Sequence, residues 1–127
     1  MRTILVVDDE FGVADVLAAI LEDADYRVVS ASDGRQGLAR LAEPPRPDAA
    51  LIDLMMPVMD GAAMLRAIRE DPAFRDLPVV MMSGLDEAAV RARAPDFAAF
   101  LRKPFRFEAV VETLARLLDG PGAAGGG

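Results

Sequence analysis

Five short apolar segments alternate along this chain with segments in which apolar residues recur every three or four positions. The short segments cover residues 3–7, 27–31, 49–52, 77–82 and 97–101. Apolar runs of this length are typical of strands buried on both faces of a parallel sheet, whereas three-to-four spacing is typical of amphipathic helices. Their alternation predicts a doubly wound α/β fold, a (βα)5 three-layer sandwich with right-handed crossovers.

The helical segments follow from the same spacing. In the first, apolar residues recur from Val13 to Ala24, and most acidic residues fall outside the apolar positions. Asp33 and Gly34 indicate a turn before the second helix, and Pro95 ends the fourth. The remaining helices are predicted around residues 36–41, 64–68, 86–93 and 107–118.

The length of the chain, 127 residues, is that of one domain that buries about two-thirds of the surface its unfolded form exposes. No apolar run approaches the roughly 18 residues of a membrane span, and residues 3–7 are followed at once by three acidic residues, which excludes a signal peptide. We therefore expect a cytoplasmic domain over residues 1–119. The glycine-rich residues 120–127 are predicted to be a flexible tail or the start of a linker.

The composition of the chain limits the ligands it can bind and the side chains that could carry a reaction. A net charge of −7 without a basic cluster argues against binding to nucleic acid. The absence of cysteine excludes disulfides and thiolate sites, and the absence of histidine excludes imidazole bases and ligands. Any reaction must therefore use carboxylates, hydroxyls and amines.

Reactive side chains stand at the ends of four of the five predicted strands. Asp8 and Asp9 follow the first strand, Asp53 the third, Ser83 the fourth, and Lys103, the only lysine, the fifth. In a doubly wound sheet the carboxyl ends of the strands share one edge, where ligands bind. Each residue alone has an ordinary explanation as a helix cap, a turn residue or a solvated charge. Together they predict a site with three carboxylates, a hydroxyl and an amine.

Three carboxylates at one site repel one another, so the site needs a proton or a cation. An all-oxygen cluster suits Mg²⁺, which binds one or two carboxylates and often bridges to phosphate oxygens. With Asp53 as the nucleophile, and with Lys103 and Mg²⁺ offsetting negative charge, the site is predicted to accept a phosphoryl group.

Four motifs resemble those of the receiver domain of two-component response regulators. They are VDDE at residues 7–10, DLMMPVMDG at 53–61, SG at 83–84 and FLRKPF at 100–105. The resemblance covers residues 3–119 and implies the flavodoxin-like strand order 2-1-3-4-5. It also implies either a stand-alone regulator similar to chemotaxis regulators or a receiver cut from a larger protein.

The family's function implies that Asp53 accepts the phosphoryl group from a histidine kinase or a histidine phosphotransfer protein. The resemblance further implies that Asp9, Asp53 and the backbone carbonyl of Met55 ligate Mg²⁺, while Asp8 holds a metal-bound water. No enzyme activity is expected beyond this self-phosphorylation and a slow autodephosphorylation.

Phosphate-binding and switch roles also follow from the resemblance. Lys103 would pair with a phosphoryl oxygen, and a cis peptide bond to Pro104 would aim its side chain into the site. Ser83 would be the switch hydroxyl, with Gly84 beside it in the phosphate-binding loop. Phe100 occupies the position of the switch aromatic residue.

Two apolar residues are predicted to slow the loss of the phosphoryl group. Met55 and Leu85 stand two positions after Asp53 and Ser83, where they flank the path of an attacking water. Neither side chain can hydrogen-bond a water into line, and both are large enough to cover the acyl phosphate. The phosphorylated state is therefore expected to be long-lived.

The resemblance places the output surface around the fourth helix, the fifth strand and the fifth helix, where a downstream protein would bind. Residues 83–100 form a shorter segment than is usual in the family, so the resemblance does not fix the exact extent of the fourth helix. We expect a monomer or a weak phosphorylation-dependent dimer, with no nucleic acid or membrane as partner.

Two alternatives remain. A degenerate receiver that only binds other proteins normally lacks an acidic residue of the pair, the acceptor or the lysine, all of which are present here. A phosphatase of the haloacid dehalogenase type has a second aspartate two positions after the nucleophile, and that position is Met55.

Overall fold

A five-stranded parallel sheet lies between two layers of helices in the computed structural model, which describes residues 1–120. The elements are β1 (Thr3–Val7), α1 (Phe11–Asp23), β2 (Arg27–Ala31), α2 (Gly34–Ala42), β3 (Ala49–Asp53), α3 (Gly61–Glu70), β4 (Val79–Ser83), α4 (Glu87–Arg93), β5 (Ala99–Arg102) and α5 (Phe107–Asp119). The strand order is β2-β1-β3-β4-β5, with every pair parallel. The predicted fold class and strand order are therefore confirmed.

The three inner strands, β1, β3 and β4, are buried at every position. Successive side chains of a strand point to opposite faces, so each inner strand contributes to two hydrophobic clusters. One cluster includes Val7 and Ile52 and packs against α2, α3 and α4, whereas the other includes Val6 and Leu51 and packs against α1 and α5. Burial on both faces explains why these strands are almost continuously apolar.

The second helix begins two residues earlier than predicted, at Gly34. Asp33 is its N-cap rather than part of a separate turn, because its Oδ1 accepts a hydrogen bond from the backbone N–H of Gln36 at 2.9 Å. The N–H of Gly34 donates to the carbonyl oxygen of Met59 at 3.0 Å, and a Cβ at position 34 would lie 2.7 Å from that oxygen. Glycine is required here by this close approach to the loop after β3.

Two strands begin later than predicted. β4 begins at Val79 rather than at residue 77, since Pro78 has no N–H to donate to the sheet. β5 begins at Ala99 rather than at residue 97. Phe97 is nevertheless buried, because its side chain packs in the cluster beneath α4. Phe97 is therefore apolar because it packs in the core, and not because it belongs to β5.

The fourth helix has seven residues, close to its predicted range. Asp86 caps it through a 2.8 Å hydrogen bond from the N–H of Ala89 to Oδ1. The last helix ends at Asp119, which forms an ion pair with Arg2, and Gly120 follows as its C-cap with a φ of 84°. The rest of the predicted tail, residues 121–127, lies outside the described residues. None of the helices within residues 1–120 is long and apolar enough to cross a membrane.

Candidate functional site

The carboxyl ends of β1, β3, β4 and β5 bring the predicted side chains to one edge of the sheet. The Nζ of Lys103 lies 2.9 Å from Oδ2 of Asp8 and 3.5 Å from Oδ1 of Asp53. Its backbone N–H donates to the carbonyl oxygen of Ser83 at 2.8 Å, which joins the end of β5 to the end of β4. Asp8 and Asp53 are buried, with exposed fractions of 1% and 5%. Residues far apart in the sequence thus form one compact polar site.

Asp53 is the last residue of β3, and a tight connection follows it. Gly61 starts α3 so close to β3 that a Cβ at this position would lie 2.5 Å from the carbonyl oxygen of Asp53. The N–H of Gly61 donates to the carbonyl oxygen of Leu54 at 2.8 Å. Asp60 caps α3 by accepting a hydrogen bond from the N–H of Ala63 at 2.9 Å. This connection fixes where the carboxylate of Asp53 lies.

The charges of the site are strongly coupled. Burial raises the pKa of Asp53 to about 6, although the positive charge of Lys103 opposes this and the negative charge of Asp8 adds to it. Burial also acts to lower the pKa of Lys103, but the hydrogen bond to Asp8 and the charge of Asp53 outweigh it, so that pKa lies above its usual value. Lys103 is therefore cationic, and it is shared between two buried carboxylates.

A cluster of three acidic residues lies beside the lysine. One carboxylate oxygen from each of Asp8, Asp9 and Glu10 lies within 4.8 Å of the others. Asp8 is buried, whereas Asp9 and Glu10 are exposed. Oxygen donors alone, at this spacing and on a rim open to solvent, fit a hard cation that keeps several waters, as Mg²⁺ does.

Glu10 received no role from the sequence. Its backbone N–H donates to Oδ1 of Asp8 at 2.9 Å, and its Oε1 lies 3.9 Å from Nζ of Lys103. The sequence feature that could have pointed to Glu10 is its place as the third acidic residue in the run at residues 8–10. Asp53, which was predicted as a metal ligand, lies outside the three-residue cluster.

The predicted switch and hydrolysis residues lie around the rim. The hydroxyl of Ser83 accepts a hydrogen bond from the N–H of Leu85 at 3.1 Å, so it is engaged with its own loop. Gly84 is exposed, and a Cβ there would meet nothing within 4 Å. Met55 and Leu85 are exposed, with fractions of 57% and 42%.

Phe100 is partly buried in the cluster beneath α4. Its ring centroid lies 6.1 Å from that of Phe97.

The Lys103–Pro104 peptide bond is cis, as the resemblance implied.

An apolar groove that the sequence reasoning missed runs from Lys103 between α1 and the start of α5. It has a volume of about 470 Å³, and Val13, Val16, Phe105 and Phe107 line it. Phe107 and Val16 are exposed. Apolar residues were assigned to the core by helical spacing, and spacing alone does not tell a core position from a surface groove.

Comparison with known proteins identifies relatives of the whole domain. Residues 4–115 match the family model of the response regulator receiver domain. The chain is 35% identical over 120 residues to the DNA-binding dual master transcriptional regulator RpaA of Synechocystis sp., an alignment that covers 93% of this chain and 49% of RpaA. The chain thus spans about half the length of the curated relatives it matches.

Solved structures give the same result. The fold is similar to that of the chemotaxis response regulator CheY4 of Vibrio cholerae, with a TM-score of 0.85, 32% identity, and coverage of 93% of this chain and 99% of CheY4. It is also similar to the receiver domain of the sensor histidine kinase PA1611 from Pseudomonas aeruginosa, with a TM-score of 0.84, 31% identity, and coverage of 93% and 98%. In that structure a magnesium ion is coordinated in the active site cleft.

Proposed function

The chain belongs to the response regulator receiver domain family of two-component signalling, and we propose that it is switched by transfer of a phosphoryl group to Asp53. The observation that carries the proposal is the position of the Asp53 carboxylate at the end of β3, 3.5 Å from the only lysine and beside an acidic cluster. Receiver domains take phosphoryl groups from histidine kinases. We assign the donor to a histidine kinase or a histidine phosphotransfer protein.

Asp53 acts as the nucleophile. A carboxylate oxygen attacks the phosphorus of the donor's phosphohistidine, the P–N bond breaks, and the imidazole takes the bonding electron pair. A pKa of about 6 leaves this carboxylate ionised at neutral pH. The product is an acyl phosphate on Asp53.

Lys103 offsets the added charge. In the present structure its ammonium group pairs with Asp8 and lies near Asp53. A phosphoryl group on Asp53 places new anionic oxygens in the same space, and the ammonium can turn toward them without leaving Asp8. The lysine therefore orients the phosphoryl group and lowers its electrostatic cost.

The proposed Mg²⁺ site combines Asp8 and Asp9 of the acidic cluster with Asp53 and Met55 at the end of β3. Asp9, Asp53 and the carbonyl oxygen of Met55 would hold the ion, with Asp8 acting through a bound water. When bound, the ion supplies positive charge that balances the carboxylates and the phosphoryl oxygens. Glu10, whose carboxylate lies within the same cluster, adds negative charge at the exposed side.

The apolar groove supports a docking role for the surface beside the site. A donor must bring its phosphohistidine to Asp53, so it has to cover the rim next to Lys103. Val16 and Phe107 give that rim exposed apolar area next to the acidic cluster. We propose that the donor packs apolar side chains here while its phosphohistidine reaches the site.

The response is proposed to travel from Ser83 to the surface formed by α4, β5 and α5. Capture of the phosphoryl group by the Ser83 hydroxyl would replace its bond with Leu85 and draw the loop inward. Phe100 would then turn into the space that the loop leaves. A downstream protein in the cytoplasm would read this surface.

The test is incubation of the purified protein with acetyl phosphate and Mg²⁺, followed by intact mass and phosphosite mapping. We expect a gain of one phosphoryl group on Asp53, and no gain in Asp53→Asn. Asp96→Asn, which removes an exposed carboxylate elsewhere, is the matched control and should be labelled like the parent. Labelling of Asp53→Asn to the extent of the parent would overturn the assignment.

A further inference from the structure

The two ends of α4 are held very differently, and the C-terminal end is the firmly held one. Arg69 of α3 donates two hydrogen bonds, from Nε and Nη2, to the carbonyl oxygen of Asp96 at 3.0 and 2.8 Å. Arg91 places its guanidinium 4.0 Å from the centre of the Phe97 ring. It also donates to the carbonyl oxygen of Pro95 at 3.3 Å. The segment that follows α4 is thus tied to both α3 and α4.

The N-terminal end of α4 has few contacts. The loop of residues 84–86, which joins β4 to α4, is exposed at every position. Within residues 1–120, one side chain from another element hydrogen-bonds this loop: Nε of Arg102 donates to the carbonyl oxygen of Gly84 at 3.3 Å. The loop's other hydrogen bonds are local: the N–H of Leu85 donates to the hydroxyl of Ser83, and Asp86 accepts from the N–H groups of Ala89 and Val90 in the first turn of α4.

Arg102 is placed for this contact by the sheet. It is the last residue of β5 and lies opposite Ser83 of β4 in the parallel register. Phe100, two positions earlier, packs in the cluster beneath α4, and residues two apart share a face of a strand. Arg102 therefore extends from the α4 side of β5, next to the loop that has to move if Ser83 is to reach Asp53.

We propose that Arg102 is a latch that holds the loop of residues 84–86 in its resting position and so opposes activation. The proposal rests on the proposed function, in which this loop moves inward when Asp53 is phosphorylated. A donor–acceptor distance of 3.3 Å is already near the upper limit for an N–H···O bond, so inward movement of the loop breaks the contact. A contact made only in the resting state raises the population of that state.

The positive charge of Arg102 has the opposite effect on the affinity for a phosphoryl group. Whether that affinity rises or falls when Arg102 is replaced therefore separates the latch from simple electrostatics. Arg102 is adjacent to Lys103, so its removal takes a positive charge from the neighbourhood of the anion. Electrostatics alone predicts that a variant without this charge binds a phosphoryl analogue more weakly. The latch predicts tighter binding, because less of the binding free energy is used to release the loop.

The experiment compares Arg102→Met with the parent by NMR. Methionine keeps an unbranched side chain and removes the donor. In the ligand-free protein we expect the amides of Gly84 and Leu85 to exchange with solvent faster, on the order of threefold for one exposed hydrogen bond. The apparent affinity for beryllofluoride with Mg²⁺ should rise by about the same factor.

Arg35→Met is the matched control, since Arg35 is an exposed residue of α2 and its loss changes the net charge equally. It should leave both measurements at the parent's values. Unchanged amide exchange in Arg102→Met, or weaker beryllofluoride binding, would overturn the latch. If the parent itself binds no beryllofluoride, the proposed function fails, and the ligand-free exchange rates still decide whether Arg102 holds the loop.

Discussion

At the scale of the residue, the site is a balance between one lysine and several carboxylates. The ammonium of Lys103 lies 2.9 Å from Asp8, 3.5 Å from Asp53 and 3.9 Å from Glu10. One positive charge does not neutralise this cluster, and burial keeps the pKa of Asp53 raised although Lys103 acts to lower it. The resting protein therefore carries an electrostatic cost that a bound cation would relieve.

That cost has a measurable pH dependence in metal-free buffer. Folding raises the pKa of Asp53 from 3.8 to about 6, so the folded state binds the proton more tightly. The contribution of Asp53 to the free energy of unfolding falls as pH rises between these values and then stays low. Asp53→Asn should therefore be more stable than the parent at pH 7.5, by on the order of 1–3 kcal/mol.

Urea unfolding at pH 7.5 and at pH 4 measures the difference. The gain should shrink toward pH 4, where the parent's Asp53 is protonated when folded. A gain of the same size at both pH values would show that the charge of Asp53 is not its origin.

The second prediction at this scale concerns Met55 and Leu85 and the rate at which the phosphoryl group is lost. Both are exposed and apolar, so neither positions a water for attack on the acyl phosphate. Replacing Met55 by Asn and Leu85 by Ser should shorten the phosphoryl half-life about tenfold, if about 1.4 kcal/mol of barrier is removed. Val58→Asn, an exposed apolar residue of the same loop as Met55, is the control.

The half-life is measured after the phosphoryl donor is removed. We expect the parent to decay slowly and the Val58→Asn control to match it. Decay of the parent within seconds, or equal rates in all variants, would mean that these two side chains do not limit hydrolysis.

At the scale of the element, the connection between β3 and α3 fixes the acceptor. Gly61 allows α3 to start against the backbone of Asp53 and Leu54, and Asp60 caps the helix. The sequence signal for this geometry was the Asp-Gly pair after an apolar strand. An Asp-Gly pair is a typical turn signal, but the contact between Gly34 and Met59 depends on two separate loops and cannot be read from either one.

Gly61→Ala should be strongly destabilising. Its Cβ would lie 2.5 Å from the carbonyl oxygen of Asp53 and 2.9 Å from Cα of Leu54, and both are backbone atoms that cannot rotate away. We expect a loss of about 2–4 kcal/mol in the free energy of unfolding, from overpacking and a displaced helix start.

Gly84→Ala is the matched substitution, because a Cβ there meets nothing within 4 Å. Denaturant unfolding of the two variants should place Gly84→Ala within about 0.5 kcal/mol of the parent. Equal stability of Gly61→Ala and the parent would mean that the connection is less constrained than its distances indicate.

At the scale of the whole molecule, the fold was predictable because hydrophobic periodicity repeats along the entire chain. The bounds of β1 and β2 match their predicted ranges of residues 3–7 and 27–31. The convergence of Asp8, Asp53 and Lys103 followed from topology, since parallel strands end at one edge. Prediction was poorer for features that depend on side-chain packing between distant segments.

Three such features are the apolar groove, the place of Glu10 and the contact of Arg102. The groove forms only when α1 meets the segment after β5. Glu10 approaches Lys103, 93 positions away in the chain, and Arg102 reaches a loop that precedes it by 18 positions. No local pattern encodes a side-chain contact over such separations.

A cation that binds the folded state should stabilise the entire domain. We expect added Mg²⁺ to raise the melting temperature of the parent, and EDTA to abolish both this gain and labelling by acetyl phosphate. Asp9→Asn should show a smaller Mg²⁺ effect, whereas Asp15→Asn, on the exposed side of α1, should respond like the parent. Undiminished labelling in EDTA would exclude the metal requirement.

The ion pair between Arg2 and Asp119 brings the two ends of the described chain together. Arg2 precedes β1 and Asp119 ends α5, so they meet at the edge of the sheet opposite Asp53. A circular permutant that joins these ends by a short glycine linker, with new termini in the exposed loop before β3, would keep every strand in place. A reporter protein fused after residue 120 would likewise start on the far side of the domain, clear of a donor approaching Asp53.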